Sequence, residues 1–201
     1  MTAAARAERS LGLLPARARV VAERPADERA LVLAAQRGER EAFSELVRTH
    51  ERRAYAVARA IVVNHEDAED AVQEAFLHAY RALHRFLPDQ AFGAWLHRIV
   101  ANAALDITRR RKVRDADELP ETVASPFRDP AESSELRRRL QEALETLPAR
   151  QRAVIVLHDV EGFKHAEIGQ TLGIPEGTAR SDLHYARSHL REVLGSVRSE
   201  L

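Results

Sequence analysis

Arg180, Ser181, His184 and Arg187 fall on one side of a helical stretch near the C-terminus, because residues four and seven apart come into line on a 3.6-residue repeat. Thr178 stands just ahead of them and is grouped with the set. Guanidinium, hydroxyl and imidazole groups arranged this way reach phosphates and base edges in a DNA major groove. The other side of the stretch repeats Ala179, Leu183, Ala186 and Leu190, which gives it a core to face. Upstream, Ile168 and Leu172 are spaced i, i+4, Gly173 supplies a residue tolerant of positive φ, and Pro175 suits the first turn of a new helix. Gly169 gives up about 1 kcal/mol of helix propensity relative to Ala, and its place is where two helices must approach closely. Two short amphipathic helices about a glycine turn make a helix-turn-helix, and the chemistry expected of it is DNA reading.

Other chemistries find less support. Nine histidines invite a metal or hydrolytic site, yet no H-x-x-x-H pair stands on one helix face with a Glu beside it. His65 with Glu66 and Asp67 sits at a helix start, where acidic residues belong. No Gly-rich phosphate loop or nucleophile elbow is present, and the chain has no Cys for thiolate ligands or disulfides. No catalytic residue, metal or cofactor is expected. The rival readings are a stand-alone helix-turn-helix regulator, a His and carboxylate hydrolase, and an adaptor that binds only protein. A regulator of the first kind needs βα alternation upstream, which the sequence lacks.

The elements that position these residues are helical. Charged residues make up 31% and aromatics 5% of 201 residues, with Ala, Leu, Arg and Glu dominant. A helix starts near Asp27, and a second spans about 41–63. Asn64 can cap a third, whose apolar stripe runs from Ala68 and Ala71 to Phe76 and Leu83, and whose other side carries Asp67, Asp70, Gln73 and Glu74. A fourth, at about 92–112, turns Leu96, Ile99, Val100 and Ala103 to a core and ends in Arg109, Arg110, Arg111 and Lys112. Trp95 reads as core, and Arg98 and Asn102 are neighbours one turn apart. Periodicity then lapses at 113–134, an acidic stretch with Pro120, Pro126 and Pro130 that reads as an extended linker. Leu136, Leu140, Ala143 and Leu147 begin a second helical domain, where Pro148 opens a helix that Gly162 ends.

Lys and Arg total 31 and Asp and Glu total 31, so the net charge is +0. A free-standing DNA binder carries a basic excess, because affinity grows with the number of phosphates neutralised. A neutral chain is expected to need a partner on DNA. No apolar run approaches a membrane span, and residues 1–26, rich in Ala and Arg, read as a mobile tail and not as a signal peptide. A cytoplasmic protein without membrane insertion is expected.

The runs DAEDAVQEAFLHAYRAL from Asp67, FGAWLHRIVANAALDITRRR from Phe92 and LPARQRAVIVLHDVEGFKHAEIGQTLGIPEGTARSDLHYAR from Leu147 together resemble a bacterial RNA polymerase sigma factor of the extracytoplasmic-function (ECF) group of the sigma-70 family. The resemblance covers Asp27 to about Leu194 and implies an all-α chain of two small domains. These are a sigma-2-like bundle at 27–112 and a sigma-4-like helix-turn-helix domain at 135–201, with the tail at 1–26 and the linker at 113–134. It implies that Asp67, Asp70, Gln73 and Glu74 dock on the clamp helices of the largest core-polymerase subunit, with a further contact to the flap of the second subunit. The acidic face suits such a basic partner. It further implies −10 promoter opening by the loop at 86–91 and the helix after it, with Arg98, Asn102, Arg109 and Arg110 on DNA. Recognition of −35 falls to Thr178, Arg180, Ser181, His184 and Arg187, and an anti-sigma factor is an expected partner. Asp182 and Tyr185 stand where the family commonly has basic residues, so Asp182 is read either as an acceptor for a cytosine amino group or as a repeller of phosphate.

Overall fold

The computed structural model describes residues 26–117 and 135–195, and the regular elements among them are helical. The all-α expectation holds. Residues 1–25 of the expected tail at 1–26 and most of the expected linker at 113–134 lie outside the described residues, and Ala26 already opens the first helix.

Helices α1 (Ala26–Gln36), α2 (Arg40–Val62), α3 (His65–Ala82) and α4 (Phe92–Asp117) form the N-terminal bundle. The buried face of α3 carries Ala68, Ala71, Ala75 and Ala79, with Val72 and Phe76 beside them, and methyl side chains let α2 and α4 approach closely. Leu46, Val57 and Ile61 of α2 and Leu96 and Val100 of α4 fill the space between. The α2–α3 turn is tight. Val63 ends α2 at φ +73, a left-handed conformation that costs a residue with a Cβ about 1–2 kcal/mol. The Asn64 side chain then accepts the Asp67 N–H at 2.8 Å, the cap its sequence position predicts. After α3 a short 3-10 turn, Leu83–Arg85, leads to the loop before α4. The Gln36 amide, at the end of α1, donates to the carbonyls of both Leu83 and Phe86, at 2.9 and 2.8 Å.

The sequence places the end of α4 at Lys112, but the helix continues to Asp117, so residues 113–117 of the expected linker are helical. Arg, Lys and Ala sustain a helix without an apolar stripe. The lapse in periodicity therefore marks emergence into solvent, as the exposed Val113 confirms, and not a helix end.

The C-terminal half holds α5 (Glu135–Glu145), α6 (Ala149–Ile155), α7 (His165–Leu172) and α8 (Glu176–Gly195). Pro148 precedes α6 and Gly162, at φ +77, closes the segment after it, as expected. Between them the backbone widens into a π-turn, Val156–Val160, which periodicity does not announce. Consecutive Val156 and Leu157 both bury there, while Asp159 and Glu161 reach in different directions. Gly173 ends α7 at φ +65. A Cβ on Gly169 would meet the Ile174 carbonyl oxygen at 2.8 Å, so the close approach inferred from sequence is real. Ile168, Leu172, Ala179, Leu183 and Ala186 join the helix pair into one core.

The halves are packed together. α6 lies against α2 and α4, and the π-turn and α7 meet α4. At the seam the buried Arg152 guanidinium donates through Nε to the Ile61 carbonyl at 2.6 Å and through Nη1 to the Leu147 carbonyl. Burial pushes its pKa down, with Glu145 acting the other way.

Candidate nucleic-acid interface

Three surfaces carry the residues singled out from sequence. On α3, Asp70 and Gln73 are exposed, but Asp67 and Glu74 are engaged within the chain. Asp67 Oδ2 accepts from Asn64 Nδ2 and from Arg111 Nη1, each at 2.8 Å. Glu74 receives Arg110 Nη2 on both oxygens, at 2.9 and 2.8 Å. Thus Arg110, grouped from sequence with the α4 DNA set, meets the α3 acidic set instead. The same face carries Leu77, 55% exposed, one turn beyond Gln73 and Glu74. Its sequence signal is an apolar residue standing off the buried stripe.

On α4 the neighbouring pair divides. Asn102 is exposed, whereas Arg98 Nη2 donates to Glu167 Oε1 at 2.9 Å and the guanidinium carbon lies 4.8 Å from the centroid of the Phe163 ring. Arg109 pairs with Asp106 at 3.0 Å on the surface. Trp95 is half-buried, its ring centroid 4.8 Å from Phe86 and 5.5 Å from Phe92, which supports its reading as core. Beside Arg98, His97 Nδ1 meets Glu161 Oε2 at 2.7 Å, and Arg53 Nε donates to Glu161 Oε1 at 3.1 Å. Burial pushes the Glu161 carboxyl up, but His97 and Arg53 together hold it below the ordinary carboxylate range.

On α8, Arg180, Ser181 and His184 are exposed opposite the buried Ala179 and Leu183, with Thr178 half-buried at the start of the row. Arg180 Nη2 reaches back one turn to Glu176 at 2.7 Å, and Ser181 donates to the Thr178 carbonyl. Arg187 is held by Asp159, to which its Nε donates at 3.0 Å. Burial raises the Asp159 pKa, but hydrogen bonds from Arg187 and His158 outweigh it and hold the carboxyl below its usual value. Next to them His165 stacks on His158 at 4.8 Å, and burial, reinforced by His158 and Arg180, pushes the His165 pKa down.

Asp182 requires a correction. It is 4% exposed and accepts from Arg150 Nε at 2.6 Å and Nη2 at 3.3 Å, so it faces neither a cytosine nor a phosphate. It ties α8 to α6 from within the domain. Arg150, thirty-two residues upstream, gave no local sign of the pairing.

These surfaces coincide with matches to known proteins. The family model described as Sigma-70 region 2 matches residues 46–114, and that described as Sigma-70, region 4 matches residues 137–190. The ECF RNA polymerase sigma factor SigM of Mycobacterium tuberculosis is 40% identical over 158 residues, covering 79% of this chain and 80% of SigM. The chain belongs to the ECF sigma factors. The ECF sigma factor SigE of Mycolicibacterium smegmatis is 42% identical over 164 residues, covering 79% of this chain but only 63% of SigE. Among solved structures, the sigma factor RpoE in complex with the anti-sigma factor NepR from Bartonella quintana superposes with a TM-score of 0.60. That match has 29% identity and covers 76% of this chain and 96% of RpoE. In this sigma factor the region 2 match spans the α3 and α4 surfaces, and the region 4 match spans α6, the π-turn, α7 and most of α8. Sequence reasoning missed Glu161, Phe163 and Glu167, which meet α4 across the seam. Their partners lie more than sixty positions away, beyond the reach of any periodicity.

Proposed function

We propose that this ECF sigma factor joins core RNA polymerase and directs it to a small set of promoters. Core docks on the α3 face through Asp67, Asp70, Gln73 and Glu74. The loop at 86–91 and Arg98, Asn102, Arg109 and Arg110 open and read the −10 element, and Thr178, Arg180, Ser181, His184 and Arg187 read −35. The observation that carries the reading is the exposed row Arg180, Ser181 and His184 on a helix whose opposite side is sealed by Ala179 and Leu183. Such a row offers charge and hydrogen bonds to a groove without disturbing a core. Catalysis of RNA synthesis belongs to core, and the chain acts as a specificity subunit in the cytoplasm. Among the described residues no helix is long and apolar enough to cross a membrane. An anti-sigma factor is a further partner, by analogy with RpoE, whose structure was solved with NepR.

The test is transcription in vitro by purified chain plus core on genomic promoter fragments, compared with gel shifts by the chain alone. Promoter-specific transcripts that require the chain support the reading. Tight, sequence-specific binding by the chain alone, with no effect on core, overturns it in favour of a stand-alone regulator.

A further inference from the structure

We propose that in the free chain the C-terminal domain fills the −10 reading face as a mimic of single-stranded DNA. The Glu167 carboxylate stands where a phosphate would sit and the Phe163 ring where a base would stack. The inference rests on the proposed role of Arg98 in −10 binding. Proteins hold single strands with two kinds of contact, a cation on the phosphate and a π-face on the base. Arg98 makes both within this chain, a 2.9 Å ion pair to Glu167 and a 4.8 Å cation–π contact to Phe163.

Both mimicking groups are held in place. The Phe163 N–H donates to the Leu157 carbonyl at 2.9 Å and its ring is buried. The second Glu167 oxygen accepts the Lys164 N–H at 2.9 Å, so one carboxylate caps α7 and grips Arg98 together. Glu161 anchors the same seam one turn of chain away. It is buried between Arg53 of α2 and His97 of α4, and it can be buried only while the domains touch.

The mimic is a weaker ligand than the strand it imitates. Among the described residues no group meets Arg98 Nε, so half of the guanidinium fork is unused, whereas a phosphate engages such a fork through two parallel bonds. DNA presented at this face therefore competes with domain closure, and opening uncovers Arg98.

The sequence contains no Cys, so the full chain with Ser44→Cys and Gln170→Cys, both exposed and one on each domain, accepts a donor and acceptor pair for energy transfer. The probe ligand is a fluorescein-labelled, mixed-sequence single-stranded DNA 12-mer, read by anisotropy on unlabelled chain. In the wild-type background transfer is high and the 12-mer binds weakly. In Glu161→Gln with Glu167→Gln transfer falls and the 12-mer binds more tightly, by about tenfold if closure leaves a tenth of molecules open. Should that double variant not fold, Arg53→Ala removes the exposed partner of Glu161 and moves both readings in the same direction. Low transfer in the wild type overturns the proposal. So does an opened variant with unchanged DNA affinity, and Arg98→Ala in transcription with core then locates the fault. If Arg98→Ala abolishes transcription, the mimic is wrong. If it leaves transcription intact, the reading of Arg98 as a −10 contact is wrong.

Discussion

The two faces proposed to read DNA in this sigma factor are restrained in different ways. On α8, Arg180 is largely exposed and, among the described residues, pairs with Glu176, one turn back in its own helix. On α4, Arg98 is engaged by two side chains of the other domain. An i, i+4 pair on a surface contributes a few tenths of a kcal/mol and yields readily to phosphate. A contact shared with a buried seam yields only when the domains move. Of the residues proposed to read DNA, Arg180 is thus presented by its own domain, and Arg98 is conditional on domain arrangement.

The largest effect comes from removing what supports the open face. Leu183 is buried beneath the α8 row, and Leu183→Ala should destabilise the C-terminal domain by about 2–5 kcal/mol, read by denaturant unfolding. Unfolding that matches wild type would place Leu183 outside the core. Next, Arg180→Ala should leave melting and interdomain transfer unchanged while costing about 1–3 kcal/mol in transcription from promoters that depend on −35. Arg98→Ala should lower transfer and transcription together. If Arg180→Ala also lowers transfer, the contrast between the two faces collapses. A uniform loss across promoter variants, with a shallower salt dependence, would instead assign Arg180 to phosphate.

Gly169→Ala has a smaller expected effect. The added methyl meets backbone at 2.8 Å, so the turn must shift, and the roughly 1 kcal/mol gained in helix propensity offsets only part of the strain. A net loss of about 1–2 kcal/mol in C-terminal domain stability, with weaker use of −35, is the expected outcome. A gain in stability would show that α7 and α8 tolerate separation.

The finest test uses pH. The Glu161 carboxyl is held below its ordinary range in the closed chain, so its contribution is fully present above that range and is lost as pH falls through the lowered value. Interdomain transfer should therefore decline in acid below the ordinary carboxylate pKa. Glu161→Gln should flatten that decline, and an unchanged profile in the variant would remove Glu161 from the closure. Asp159 has a pKa lowered in the same direction but grips Arg187 within the C-terminal domain, so Asp159→Asn should leave the transfer profile as it is.

What the sequence disclosed is local. Gly173, Gly162 and Asn64 do their work through backbone geometry within a few residues, and the structure finds them where pattern placed them. The alanine stripe of α3 was equally legible, because burial on a helix repeats every three or four positions. Contacts between distant segments were not. Asp182 looked like an odd member of a reading face until Arg150 closed on it, and Glu161 gave no local sign of the Arg53 and His97 that enclose it. The neutral composition was read as weak affinity for DNA. Within the chain Arg98, Arg110 and Arg187 each pair with a carboxylate, which the composition alone did not disclose.

The Gln36 amide gives α1 a task that its position at the edge of the bundle does not suggest. By donating to the Leu83 and Phe86 carbonyls it clamps the root of the 86–91 loop, so the loop inherits its stiffness from a helix almost fifty residues earlier. A tag, truncation or ligand that tugs on α1 will change the springiness of that loop without touching it.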